Sequence, residues 1–315
     1  MSELKEIIYD GFKALNLSNS FTSVIVVPSL GGKIVSIEKR SSGFDYAFKN
    51  EHIKNKKCLY GSDYAASSAS GVDECFPTVA ASRYTEFPWE DIAIPDHGEI
   101  WAQEVEIEIV GKTIIQKAYG IRFPYVFRRA INLEDNTVSI NYRVENPGTM
   151  DFNYIWSIHP HFNLYENTEI IIEGNPDVYM DFSMKNAFKM KTHKYKWPVL
   201  TTDNGKMINF SKIEDVDNGD GEKFYLCNMS RGEVKLRYPD KDETMIFKFN
   251  KDILKYCGIW IDRNCWPFNT EPYKVLAIEP CNCISDRFED SLQRKAYNTI
   301  KAKNYAEWKL ELILE

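Results

Sequence analysis

The chain has 315 residues, seven cysteines and a formal net charge of −7, with a pI of about 5.5. That balance lacks the basic footprint of a nucleic-acid binder, and no apolar run reaches the roughly 18 residues a membrane helix needs. The odd, scattered cysteines form no Cys-x-x-Cys pair, and Met-Ser-Glu-Leu-Lys-Glu is not a signal peptide, so a soluble cytoplasmic protein with reduced thiols is expected.

Phe21 to Val27 reads as a strand, Pro28 to Gly32 as a turn and Lys33 to Glu38 as a second strand, an opening hairpin or meander. Asp45 to Leu59 is polar and reads as loop with one helical turn. Gly61 to Gly71 is rich in small residues that permit close approach to a ligand. Asp73-Glu74-Cys75-Phe76-Pro77 and an irregular aromatic segment lead to Asp96-His97-Gly98-Glu99-Ile100-Trp101. From there alternation dominates, in Glu104 to Ile109, Thr113 to Lys117, Phe123 to Asn132 and Thr137 to Val144, which predicts antiparallel strands with one wet face. Asp151 to Ile158 and Glu169 to Glu173 read as strands. Residues 175 to 222 read as a polar excursion with short strands. Lys223 to Asn228, Val234 to Tyr238, Met245 to Phe249, Tyr256 to Asp262, Lys274 to Pro280 and Trp308 to Leu314 complete the set, with a helical turn over Ser285 to Leu292. There is no long amphipathic helix, repeat or linker. The expectation is one all-β domain over 1–315, a large antiparallel β-sandwich, as monomer or homodimer.

Three polar centres punctuate these strands. His159 and His161, in Trp156-Ser157-Ile158-His159-Pro160-His161-Phe162-Asn163-Leu164, are two residues apart, so extended backbone places both on one face. Pro160 pushes His159 toward that geometry. Glu279 ends an apolar strand before Pro280, where desolvation can raise its pKa and suit it to general-base work. His97 lies between Asp96, which can orient its ring, and Gly98. Trp260 and Asp262 are candidates for the wall of the site, by stacking and by accepting hydroxyls. Each of these residues, taken alone, also has an ordinary structural reading as core or loop.

Taken together, Asp96-His97-Gly98-Glu99-Ile100-Trp101, His159-Pro160-His161-Phe162-Asn163-Leu164 and Ile278-Glu279-Pro280-Cys281 resemble, in order and spacing, the aldose 1-epimerase (galactose mutarotase) superfamily. Gly71-Val72-Asp73-Glu74-Cys75-Phe76-Pro77 resembles a Gly-rich segment of some of its branches. The resemblance implies a galactose mutarotase-like supersandwich that interconverts the anomers of a free sugar without metal or cofactor. Glu279 would be the base at the anomeric hydroxyl, His159 the acid at the ring oxygen and His97 a hydrogen-bonding partner. His161, Asp73, Glu74, Trp260 and Asp262 would contact the sugar. Position 161 is His where the family often has Tyr, and Trp101 replaces a frequent Arg. With Ala69 and Ser70 where the sugar-phosphate branch has arginine, and the acidic Asp73-Glu74 pair nearby, the expected partner is a neutral small-molecule sugar. Asp203, Asp217, Asp220 and Glu222 all compete for the family's mid-chain sugar-binding acid. Two other readings stay open. One is a catalytically silent carbohydrate-binding protein on the same fold. The other is a cupin-type metalloenzyme, from His159-x-His161 and Glu166.

Overall fold

Alternation along the strands builds the architecture. In Val126–Glu134 every second side chain is buried, and the same period runs through Thr113–Tyr119 and Tyr305–Leu314. A computed structural model describes residues 2–67, 69–268 and 271–315. Met1 and Ser68, which fall in stretches read above, lie outside the described residues.

Two antiparallel sheets stack. The larger has thirteen strands among the described residues, running in space Glu3–Tyr9, Phe12–Ser18, Thr22–Val27, Lys33–Lys39, Val72–Cys75, Ser157–Pro160, Lys274–Cys281, Tyr256–Arg263, Asp220–Cys227, Asp177–Ser183 and Thr192–Lys196, with two short strands off this path. The second has nine, from Lys212–Ile213 at one edge through Tyr305–Leu314 to Glu106–Val110 at the other. One apolar cluster joins their inward faces, with Val26, Ile158, Leu276 and Phe224 from the large sheet meeting Ile131, Ile140, Phe247 and Leu312 from the other. The protein is all-β, as the alternation predicts; its α-helix, Phe288–Gln293, lies in the predicted helical turn.

A charged cluster crosses this core. Glu74 is 2% exposed and points inward from the large sheet. Its Oε1 accepts from Arg129 Nη1 (2.6 Å) and Tyr142 OH (3.0 Å), and its Oε2 accepts from Trp156 Nε1 (2.8 Å). Arg129 comes from the second sheet and also donates to the Gly32 carbonyl and, at 2.7 Å, to Gln116 Oε1. Every polar atom of Glu74 is used between the layers, so the expected sugar contact by Glu74 is replaced by a structural one. Burial raises its carboxyl pKa against the pull of Arg129.

Several elements depart from expectation. The chain opens with a hairpin, Glu3–Tyr9 and Phe12–Ser18, turning at Asp10 and Gly11, both at positive φ. Asp-Gly is a strong two-residue hairpin signal. Val72–Cys75 is a central strand. Asp151 to Ile158 is split between Phe152–Tyr154, which pairs Asn298–Ile300, and Ser157–Pro160 in the large sheet. The excursion contributes a full strand, Asp177–Ser183, to the large sheet. Asp45 to Leu59 holds no helical turn.

The middle of the large sheet has a second, outward face. There Tyr64, Ala69, Trp101, Ala102, Tyr273 and Val275 form a separate buried cluster. Loops from 46–67, 69–71, 95–105, 264–268 and 271–273 carry most of it and roof the strands that hold the histidines.

Candidate functional site

Register decides which side chains share the outward face. His159 pairs Asp73, Ser157 pairs both Cys75 and Cys281, Gly258 pairs Glu279, and Lys223 pairs Trp260. Residues directly opposite, and those two apart, point the same way. Asp73, Cys75, His159, Lys223, Trp260, Asp262 and Glu279 therefore face outward together, and Glu74 and Glu222 face the core.

A polar chain runs across this face. Glu279 Oε1 lies 3.0 Å from His159 Nδ1, and Glu279 Oε2 is ion-paired with Lys223 Nζ. His159 Nε2 lies 3.2 Å from His97 Nε2, and His97 Nδ1 lies 3.1 Å from Asp96 Oδ2, near enough for an ion pair but too bent for a full hydrogen bond. Lys223 Nζ also stands 3.5 Å from Asp286 Oδ1, and Tyr225 OH bonds the same carboxylate. His97 reaches His159 because it sits at φ 61 beside Gly98 at φ 75, where an added Cβ would lie 2.0 Å from the Phe76 carbonyl. Glu279 fits because its cross-strand neighbour is Gly258, whose missing Cβ would fall 2.7 Å from Glu279 Oε2.

The chain Glu279–His159–His97–Asp96 has three links, and each needs one proton to be attractive. Two neutral imidazoles carry two protons and an ionised carboxylate carries none. The arrangement is therefore one positive charge short unless an imidazole is doubly protonated or a cation lies between the rings. Burial depresses the His159 pKa well below the usual histidine value, with His97 and Lys223 adding to the effect. His159 is thus held neutral, with its free Nε2 turned toward His97. Burial lowers Lys223 too, but the carboxylates of Asp286 and Glu279 outweigh it and hold the ammonium above the usual lysine range. For Asp96, burial works upward and His97 prevails, keeping the carboxyl below its usual range.

The other expected residues divide. The His161 ring stands 4.8 Å from His159, edge-on, confirming the shared face, and its pKa is depressed by burial and by His159. Asp73 binds Lys33 Nζ (2.7 Å) and Tyr64 OH (2.9 Å), neutralising the anticipated acidic patch. Asp262 Oδ1 accepts from the backbone of Cys265 (2.8 Å) and Trp266 (3.3 Å), so it shapes the turn over 264–266, and burial pushes its carboxyl up to about 7. Its Oδ2 has no hydrogen-bond partner among the described residues. Trp260 is half-buried at the edge of the outer cluster. Of the mid-chain acids, Asp217 pairs Lys274 at the surface, Glu222 pairs Arg263 under the sheet, Asp203 is exposed and Asp220 caps a strand end; the outward position in that strand is Lys223. Glu166 caps the backbone of Asp215 and Val216, far from the role a cupin motif gives it.

Sequence reasoning missed Lys223, Tyr64 and Cys75. Tyr64 stacks on His97 at 3.7 Å and 11°. Cys75 Sγ and one ring nitrogen each of His97 and His159 all lie within 4.8 Å of one another. A cavity of about 840 Å³ opens between Tyr60, Asp63, Pro95, Asp96, Trp266 and Phe268; its link to the histidines is Asp96, which stands 3.1 Å from His97.

The family described as "Domain of unknown function (DUF5107)" matches residues 6–229. This chain belongs to that family. No curated protein matches the DUF5107 chain in sequence. Solved structures do match it in fold. A Synechocystis protein superposes with a TM-score of 0.72 at 12% identity, covering 99% of both chains. A galactose mutarotase-like protein from Clostridium acetobutylicum gives 0.68 at 15%, covering 100% of this chain and 98% of that one. A galactose mutarotase related enzyme from Lactobacillus acidophilus gives 0.65 at 16%, covering 96% and 97%. The DUF5107 chain thus has the galactose mutarotase-like sandwich fold.

Proposed function

We propose that this protein interconverts the α and β anomers of a neutral free sugar by acid–base ring opening, with His159 as base and His97 as acid. The observation that carries the reading is the pair of Nε2 atoms 3.2 Å apart, each ring backed at Nδ1 by a carboxylate. The fold shared with galactose mutarotase-like proteins supports the substrate class. His159, neutral because it is buried, accepts the proton of the C1 hydroxyl. His97 donates a proton from Nε2 to the ring oxygen, and the bond from C1 to that oxygen breaks. The aldehyde rotates, and reversal of both transfers closes the ring as the other anomer. Each such group is worth about 10²–10⁴-fold in rate.

The roles differ from those the sequence implies for Glu279 and His159. Glu279 is wholly buried, and its two oxygens are taken by His159 and Lys223, so no face remains for a sugar hydroxyl. It holds the His159 tautomer and stabilises the imidazolium that forms. Trp266 and Phe268 line the adjoining cavity, and their rings suit a pyranose face. Tyr64 covers His97 and must move for a sugar to reach it.

Exchange spectroscopy by NMR across a panel of aldoses tests this. Exchange between anomers that rises in proportion to protein concentration for at least one neutral sugar is expected, with no preference for its 6-phosphate. One observation favours a second reading, a silent carbohydrate-binding protein: Lys223 neutralises Glu279 and weakens its support of an imidazolium. Sugar binding without exchange would select that reading.

A further inference from the structure

We propose that Cys75, His97 and His159 form a binding site for one soft or borderline transition-metal ion, with zinc the best fit. The ion would occupy the two Nε2 atoms that the sugar chemistry above needs free, so the metal-bound and anomerase states exclude one another, and the site departs from the metal-free expectation of the sequence.

The first ground is the facing of the two rings. Their Nε2 atoms meet while each Nδ1 stands beside a carboxylate, and a cation between the rings satisfies both lone pairs at once. The second is distance. Zinc–imidazole bonds of about 2.0–2.1 Å at a tetrahedral angle separate two nitrogens by about 3.3–3.4 Å. The two Nε2 atoms stand 3.2 Å apart.

The third ground is the donor set. Cys75 Sγ falls in the same cluster, within 4.8 Å of a ring nitrogen of each histidine, on a strand position whose side chain faces outward beside His159. Two imidazoles and one thiolate suit zinc or copper and do not suit calcium or magnesium, which take oxygen. Three protein ligands leave a fourth position for water or a substrate oxygen. The fourth ground is the outer shell. Histidine ligands bind metal through one nitrogen and anchor the other on a carboxylate, and here Glu279 backs His159 at 3.0 Å while Asp96 stands 3.1 Å from His97. His161 and Glu166, the partners a cupin motif would recruit, are not in the cluster.

The test uses full-length protein stripped of metal with chelator and titrated with Co²⁺, then Zn²⁺. The expected result is one equivalent of tetrahedral cobalt with a thiolate-to-cobalt charge-transfer band, displaced by zinc. Cys75→Ser should abolish that band, and Cys58→Ser, which alters a thiol outside the cluster, should leave it. Glu279→Gln should weaken zinc about 10–100-fold through the lost outer-shell anchor. Because Cys75 is buried and its variant can fail to fold, X-ray absorption on the zinc-loaded wild type provides a second measurement. A shell of two nitrogens at about 2.0–2.1 Å and one sulfur at about 2.3 Å is expected. No charge-transfer band at one equivalent, a band that persists in folded Cys75→Ser, or a shell without sulfur would overturn the site. These readouts do not involve sugar turnover, so the metal site and the anomerase reading fail separately.

Discussion

Glu279 and Lys223 form a buried pair with little solvent to share the cost of breaking it. Removing one partner of such a pair typically costs about 3–5 kcal/mol. Glu279→Gln leaves the Lys223 ammonium with Asp286 alone at 3.5 Å, so a loss of about 3 kcal/mol in urea unfolding is expected. Glu279→Gln/Lys223→Met should recover much of that stability but not activity, because the amide no longer accepts from His159 as a charge. Full activity in the double variant would show that Glu279 matters only as a counter-ion. The buried histidines give a second prediction. Their folded pKa values lie below the unfolded reference of 6.5, so the unfolded chain takes up more protons once the pH falls below about 6.5. Stability should be full above that pH and decline below it, by up to about 1.4 kcal/mol per pH unit for each histidine. Urea midpoints at pH 7.5 and 5.5 check the sign, and His161→Phe should flatten the slope.

At the scale of elements, the site depends on two glycines that bring backbone close. Gly258→Ala places a methyl 2.7 Å from Glu279 Oε2 and 3.3 Å from Tyr225. It should lower activity at least tenfold with a modest stability loss, and the NMR exchange assay on folded protein measures the first. If activity is unchanged, Glu279 is not held where this packing requires it. Most elements were legible from alternation, as in Val126–Glu134 and Tyr305–Leu314, where one face is wet. Val72–Cys75 was not, because a central strand buried on both faces and carrying Asp-Glu shows no alternation in polarity. The opening hairpin is legible in Asp10-Gly11, a two-residue turn signal. For the candidate site, order and spacing singled out His97, His159 and Glu279, which the fold brings together. The directions of Glu74 and Lys223 were hidden, because a one-residue shift in register reverses the face and only the pairing in the sheet fixes it.

Across the whole molecule, the Glu74–Arg129 bridge ties the site-bearing sheet to its partner through the core. Arg129→Met should destabilise by about 3–5 kcal/mol, since it strands a buried carboxylate, while the activity of the remaining folded fraction stays near wild type. Guanidinium unfolding followed by tryptophan fluorescence reads the first quantity. The same layering explains the outer cluster: the large sheet buries one face against its partner sheet and the other under loops, and the histidines lie in that second, roofed layer.

The central claim is that His97 and His159 exchange protons with one anomeric centre. The most direct measurement is the anomer exchange rate of the best aldose with metal-stripped wild type, His159→Asn, His97→Asn and the double variant. Each single substitution should reduce exchange by about 10²-fold or more, and the double variant should be little worse than either, because the two rings act as one unit. Wild-type exchange rates in folded His159→Asn would contradict the account.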